Sequence, residues 1–227
     1  MKIPRAPHAW NLSPKQAVAV QRRMAERVSR RRRRATVRVV AGVDCAFSRD
    51  GALCLSAAVC WDVAEKRVVE EQVVVRPLTF PYVPGLLSFR EAPAELAALR
   101  ALRTTPDALM VDGHGLAHPR RFGIACHVGV VADLPTVGVA KSRLVGVHRE
   151  PGLARGARTA LRDGPERIGT VLRTRQGVAP VFVSIGHAVD LPTAERWVLA
   201  CGGGFRLPEP TRQADRAVAR AKKELAR

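Results

Sequence analysis

Four carboxylates stand where an ionised side chain is expensive or exposed to chemistry. Asp44 lies inside the apolar run Ala-Gly-Val-Asp-Cys-Ala-Phe (41–47), and Asp112 follows the short apolar run Ala108–Val111 and precedes a glycine. Glu91 closes the segment Phe80–Glu91, and Asp215 follows the block Leu207-Pro-Glu-Pro-Thr-Arg. A carboxylate in an apolar strand must be paired, hydrogen-bonded or bound to a cation. A structural ion pair or cap would satisfy each acid singly. If the four converge, they repel one another unless a divalent cation neutralises them. Oxygen-only ligand sets suit Mg²⁺ or Mn²⁺, which keep several waters and accept phosphate oxygens. Lys141, delivered by the buried run Thr136–Ala140, could stabilise charge developing on a phosphoryl group. The chemistry open to such a set is metal-assisted phosphodiester hydrolysis. His118, in the same loop as Asp112, is the histidine best placed to join it. His114 and His127 read equally as loop and helix residues, and His187 as a residue that orients a loop. No histidine has zinc-ligand spacing.

The overall charge points the same way. Lys and Arg number 38 against 20 Asp and Glu, a net +18, and a field of that sign attracts a polyanion, most commonly nucleic acid. No apolar run is long enough to span a membrane and none follows Met1 as a secretion signal would, so a cytoplasmic protein is expected. Five scattered cysteines without a Cys-x-x-Cys pair read as reduced, mostly buried small residues. The run Arg30–Arg34 is a solvated segment or an added source of non-specific phosphate contact.

The segment Phe-Pro-Tyr-Val-Pro-Gly-Leu-Leu-Ser-Phe-Arg-Glu (80–91) carries the only tyrosine of the chain between two prolines. Pro81 and Pro84 fix two φ angles, and Gly85 permits a turn that other residues resist. Tyr82 is then either a half-buried turn residue or a rigid wedge. Leu86, Leu87 and Phe89 would anchor the loop, with Glu91 at a helix start.

The elements that must position these residues follow from periodicity. Ser13-Pro14-Lys15-Gln16 is a capping box opening a helix to about Val28. Val37–Phe47, Leu53–Trp61 and Val68–Val75 predict an antiparallel meander, with Arg49-Asp50-Gly51 as its clearest turn. Ala94–Leu102, Ile124–Val131, Leu191–Ala200 and a last helix capped by Thr211 are predicted helices. Ala108–Val111, Thr136–Ala140, Ile168–Arg173 and Pro180–Ile185 are predicted strands. Gly152–Gly164 reads as a surface excursion, and residues 1–11 and the last few as loosely ordered. One domain over 1–227 is the economical count.

The blocks Gly-Val-Asp44-Cys-Ala-Phe, Pro81–Glu91, Val111–Arg121, Pro135–Lys141, Ile185-Gly-His187 and Leu207–Arg212 run in an order that resembles the endonuclease V family, deoxyinosine-directed repair nucleases, over nearly the whole chain. The resemblance implies an α/β, ribonuclease H-like mixed sheet, a three-strand antiparallel meander plus parallel strands, flanked by helices. It implies Asp44 and Asp112 as metal-binding aspartates and Glu91 as the catalytic glutamate and third ligand, with Mg²⁺ as cofactor and Mn²⁺ able to replace it. Lys141, His118 and Asp215 match residues that support the active site, and Tyr82 the wedge that fills the gap left by a flipped base. Main-chain groups of Gly85, Leu87, Gly113 and Ile124 would hold the hypoxanthine. The substrate implied is DNA containing deoxyinosine, nicked at the second phosphodiester bond 3′ to the lesion by a monomer. Inosine-containing RNA or branched DNA is the alternative substrate, and a non-enzymatic nucleic-acid binder would not need the four acids. The Arg30–Arg34 run and the arginine-rich 149–175 region belong to no matched block.

Overall fold

A computed structural model describes residues 1–225 and contains one mixed sheet of eight strands. In chain order the elements are α1 (Pro14–Ala25), β1 (Val39–Phe47), β2 (Leu53–Asp62), β3 (Arg67–Pro77), α2 (Leu87–Ala101), β4 (Ala108–Val111), α3 (Ile124–Ala132), β5 (Thr136–Ala140), β6 (Arg158–Asp163), β7 (Glu166–Leu172), β8 (Val181–His187), α4 (Leu191–Ala200) and α5 (Glu209–Leu225). The spatial order is β3-β2-β1-β4-β5-β8-β7-β6. The valine-rich meander forms as expected, β1 pairing β2 and β2 pairing β3 antiparallel. β1, β4 and β5 are parallel neighbours, and β8, β7 and β6 continue the sheet antiparallel.

The pleat of β1 sorts its side chains between two helical layers. Successive strand residues point to opposite faces. Ala41 and Val43 join the core formed with α2 and α3, whereas Ala46 packs with Ala214, Ala217 and Val218 of α5. Gly42 lies on the α5 face, and a Cβ there would sit 2.0 Å from the Pro210 carbonyl carbon. The opening of α5 therefore rests on β1 backbone to backbone. Asp44, in step with Gly42 and Ala46, faces α5, and Cys45 faces α2.

Several expectations change. Residues 1–11 are not a loose leader: Ile3, Ala6 and Trp10 pack on the core, and the Trp10 ring stacks on His127 at 4.8 Å. The reading of the last few residues falls partly on 226–227, outside the described residues, while α5 runs to Leu225. The capping box of α1 is present, with Ser13 accepting from Gln16 N–H, but the helix ends at Ala25 rather than near Val28. α2 starts at Leu87, not Ala94, because it carries Pro93 in its interior. A proline there cannot donate to the Phe89 carbonyl and costs about 3 kcal/mol, a cost offset by the burial of Phe89, Ala92, Leu96 and Leu99. Glu91 thus lies in the second turn of α2 rather than at its start. The 152–164 excursion contains β6, whose Arg-Thr-Ala-Leu-Arg-Asp sequence buries only Leu161 fully and carries charge on the open edge. Thr211 does not cap α5: the helix begins at Glu209, and the Thr211 hydroxyl donates inward to the Pro208 carbonyl at 3.1 Å.

Candidate active site

Parallel pairing brings the two aspartates together. Val43 and Val111 are register partners, and the Asp112 N–H donates to the Val43 carbonyl at 3.4 Å, so Asp44 and Asp112 are the next residues along adjacent strands. Lys141 follows β5, the next strand over, and its Nζ lies 2.5 Å from Asp112 Oδ2. Asp215 arrives on the exposed side of α5 and adds its charge to the fields of Asp44 and Asp112. The carboxyl-terminal ends of β4 and β5 thus carry an acid and a lysine beside Asp44 of β1, the position where open α/β sheets place ligands.

The electrostatics are those of acids without enough counter-charge. Burial, then Asp112, push the Asp44 pKa to about 8, and the Cys45 N–H and Lys141 recover only part of the shift. Burial and Asp112 carry Glu91 to about 7 against the pull of Arg90. Asp112 is also raised by burial, with the Lys141 ammonium as its main relief. Burial opposes the charge on Lys141, yet Asp112, Asp44 and Asp215 together hold its pKa above the ordinary lysine value. Each shift would be relieved by added positive charge, which is the condition for a cation site.

Glu91 feels the charge of Asp112 but belongs to a tighter group with other donors. Among the described residues, the three metal-ligating side chains whose donor atoms lie within 4.8 Å of one another are Cys45, Glu91 and Glu95, not Asp44, Asp112 and Glu91. The cause is the pleat: Asp44 points toward α5, while Glu91 descends from α2 on the Cys45 side.

The Pro-Tyr loop is fixed at its base and free at its tip. Gly85 adopts φ +77°, a left-handed conformation that favours glycine. Its carbonyl accepts from Gln21 Nε2 at 3.0 Å, His118 Nε2 at 3.0 Å and Arg120 Nη2 at 2.7 Å. Arg90 donates to the Phe80 carbonyl at 2.9 Å and closes the other end. Between these anchors Tyr82 is 71% exposed. A cavity of about 290 Å³ opens beneath it, lined by Gly85, Leu87, Gly113, His114, His118 and Ile124 among others. Its size is near the lower end of ligand pockets, roughly 300–1,000 Å³. All four residues expected around the base meet here. Gly113 and Ile124 also depend on each other, since a Cβ on Gly113 would stand 2.5 Å from Ile124 Cγ2. A wider cleft of about 670 Å³, between the β1–β2 turn and the end of α5, contains none of the acids.

His118 lies at the base of the Pro-Tyr loop. It is 3% exposed, and burial lowers its pKa to about 4, so the ring is neutral. Nε2 donates to the Gly85 carbonyl, and Nδ1 accepts the Arg120 N–H at 3.2 Å. Both nitrogens are thus engaged in holding the loop over the cavity.

Two further residues were missed. Glu95 is 1% exposed with one carboxylate oxygen lacking a partner, and burial followed by Glu91 drives its pKa well above the carboxylate range. The spacing Glu91-x-x-x-Glu95 was the available signal, because like charges four apart share a helix face. His114 lines the cavity with a buried Nδ1 that has no partner, and burial lowers its pKa to about 4. Its place between Gly113 and Gly115, in the loop that carries Asp112, was the only hint.

The arginine run, open between a solvated segment and a phosphate contact, meets acids of the fold. Arg30, Arg32, Arg33 and Arg34 pair with Glu166, Asp190, Asp133 and Asp107, acids at the edge where β4, β5 and β7 begin and β8 ends. That edge is opposite the aspartates, and these half-exposed pairs lie at the surface.

Comparison with known proteins gives a consistent picture. The family model described as Endonuclease V matches residues 22–216. The Endonuclease V of Roseiflexus castenholzii is 51% identical over 212 residues, 93% of this chain and 95% of that protein. The solved Endonuclease V from Streptomyces avermitilis is 43% identical, with a TM-score of 0.91 over 100% of both chains. Endonuclease V of Ciona intestinalis, solved in complex with a 24mer DNA containing an inosine followed by a ribo-adenosine, is 26% identical, with a TM-score of 0.84 over 93% of this chain and 98% of that one.

Proposed function

The chain belongs to the endonuclease V family, a family of nucleases, and from that premise we propose that it is a metal-dependent DNA repair endonuclease directed to deoxyinosine. The cut falls at the second phosphodiester bond 3′ to the lesion and leaves a nick. The observation that carries the reading is the adjacency of Asp112 and Gly113: one loop delivers an acid to the strand-end cluster and a wall to the base-sized cavity. A base held in the cavity leaves its own backbone running past the acids.

The residues fit a divalent cation, since burial raises Asp44, Asp112 and Glu91 alike, Asp112 adds to the shifts of Asp44 and Glu91, and Asp215 adds to that of Asp112. Asp44 and Asp112, with Glu91 turning in from α2, would hold it. When bound, Mg²⁺ or Mn²⁺ supplies Lewis-acid polarisation of a phosphate oxygen and a more acidic water. Lys141, kept charged by its acidic neighbours, is oriented to meet the charge that develops on the phosphoryl group. Asp215 adds negative field from α5 and favours cation uptake. Tyr82 fills the stack when the base leaves, and its prolines keep the ring extended without further ordering cost. Unstacking a base costs a few kcal/mol, least where pairing is already poor, so a wedge of fixed shape favours the mispaired lesion. His118, Gln21 and Arg120 hold the loop that presents it. The positive surface supplies sequence-independent affinity.

The reading is tested with an inosine-containing duplex, a matched control duplex and an inosine RNA, each with Mg²⁺ and with chelator. The expected outcome is a single nick 3′ to inosine in the first substrate with Mg²⁺ only. Equal cutting of the matched control, or cutting in chelator, overturns it. Stronger cutting of the RNA reassigns the substrate to inosine-containing RNA.

A further inference from the structure

On the α2 side of β1, behind Asp44, lies a second group of donors that shares only Glu91 with the set proposed for hydrolysis. Cys45 projects from β1, and Glu91 and Glu95 project one turn apart from α2, their donor atoms all within 4.8 Å of one another. Glu95 is 1% exposed, and one of its carboxylate oxygens has no hydrogen-bond partner. A buried carboxylate oxygen without a donor is costly unless something positive completes it. The three side chains come from two elements whose positions the core fixes, with Phe89, Ala92 and Leu96 of α2 packed on the same core as Val43.

We propose that Cys45, Glu91 and Glu95 form a cation subsite distinct from the aspartate edge and selective for a borderline-soft divalent ion, Zn²⁺ in chemical class. A sulfur ligand disfavours Mg²⁺ and suits zinc, which takes Cys and carboxylate ligands. A bound cation deprotonates the coordinating thiol outright. Tetrahedral zinc needs the donors to close by a fraction of an ångström to about one, a motion within side-chain reach. Glu91 is common to both places, so a soft ion here takes it from hydrolysis. That consequence rests on the nuclease reading above; the subsite itself does not.

The test uses the full-length protein stripped of metal and titrated with Co²⁺ alone, followed by Zn²⁺ calorimetry. Expected are a thiolate-to-cobalt charge-transfer absorption that Zn²⁺ displaces, its loss in Cys45→Ser, and a fall of about tenfold or more in Zn²⁺ affinity in Glu95→Gln. Cys201→Ser keeps the band, because Cys201 follows α4, away from the donor group. A band that is absent, or that survives Cys45→Ser, or Zn²⁺ affinity unchanged in Glu95→Gln, overturns the subsite. If Cys45→Ser fails to fold, the Glu95→Gln affinity decides. Zn²⁺ should also depress Mg²⁺-supported nicking in the wild type, and less so in Glu95→Gln. Absence of any nicking would count against the nuclease reading, while the cobalt band still reads the subsite.

Discussion

The two edges of the parallel strands carry charge in opposite ways. At the edge where β4, β5 and β7 begin, four arginines of one run each meet an acid, at 2.8 Å for Arg33 with Asp133 and 3.0 Å for Arg30 with Glu166. At the edge where β4 and β5 end, Asp44, Asp112 and Asp215 share Lys141, and burial and mutual repulsion leave Asp44 at about 8. The first edge is neutral in detail and would lose little in salt, being made of half-exposed pairs worth at most about 1 kcal/mol each. The second stores repulsion that the fold does not relieve. Charge that is answered locally serves the structure, and charge that is left crowded marks where an external ion or phosphate is to be accommodated.

Asp112→Asn and Asp44→Asn should sharpen this contrast most. Each removes one charge from the crowded edge, and nicking should fall by several orders of magnitude while inosine DNA still binds. A single-turnover nicking assay beside a binding titration measures both. Near wild-type nicking in either variant would sink the assignment of the acids. Loss of binding together with nicking in a folded variant would make them part of the DNA site.

The next largest effect is on stability against pH. Asp44 at about 8 and Glu91 at about 7 both lie above their ordinary values of 3.8 and 4.5. The native protein therefore holds protons that the unfolded chain has released. Stability is complete below about pH 4 as far as these groups are concerned, falls as pH rises toward 7–8, and levels above. Urea midpoints of the metal-free protein from pH 5 to 8.5 should decline, Asp44→Asn should flatten the decline, and Mg²⁺ should restore the midpoint at the alkaline end. A flat profile in the metal-free wild type would mean that the acids are relieved by something internal.

Tyr82→Ala follows. Stacking on an aromatic is worth about 1–3 kcal/mol, so discrimination between inosine and normal duplexes should drop by roughly tenfold to a hundredfold. Single-stranded inosine DNA, which has less stacking to replace, should lose less. Equal losses on both would make Tyr82 a loop anchor only.

The smallest effect belongs to the paired edge. Arg33→Ala should cost less than about 1 kcal/mol of stability and leave both DNA affinity and its salt slope unchanged. A shallower salt slope would return the arginine run to the DNA surface.

Much of this was legible in the residues. Valine-rich alternation gave β1, β2 and β3, and the glycine after Asp112 marked the end of β4. Of the two readings of Tyr82, the half-buried turn residue is set aside by its exposure. The site's finer arrangement was hidden for identifiable reasons. Pro93 reads as a helix boundary, which concealed that Glu91 and Glu95 share one face of α2. A single fully buried residue, Leu161, is too weak a period to reveal β6. The pairing of Arg30–Arg34 depends on acids at 107, 133, 166 and 190, separations that no local pattern encodes. His8 and Trp10 find their partner, His127, on a helix more than a hundred residues away.

The contact of Gly42 with Pro210 has a consequence for how the protein is made. β1 leaves the ribosome roughly 160 residues ahead of the helix that seats on it and carries Asp215. Domains emerge from the N-terminus at roughly 5–20 residues per second. A nascent chain can therefore pair its first strands for many seconds with one face of β1 still open to solvent. Under the nuclease reading proposed above, an acid set completed only when α5 docks stays silent while the chain is tethered beside the nucleic acid of the translation machinery. A larger side chain at 42 would prolong that silence into the finished molecule.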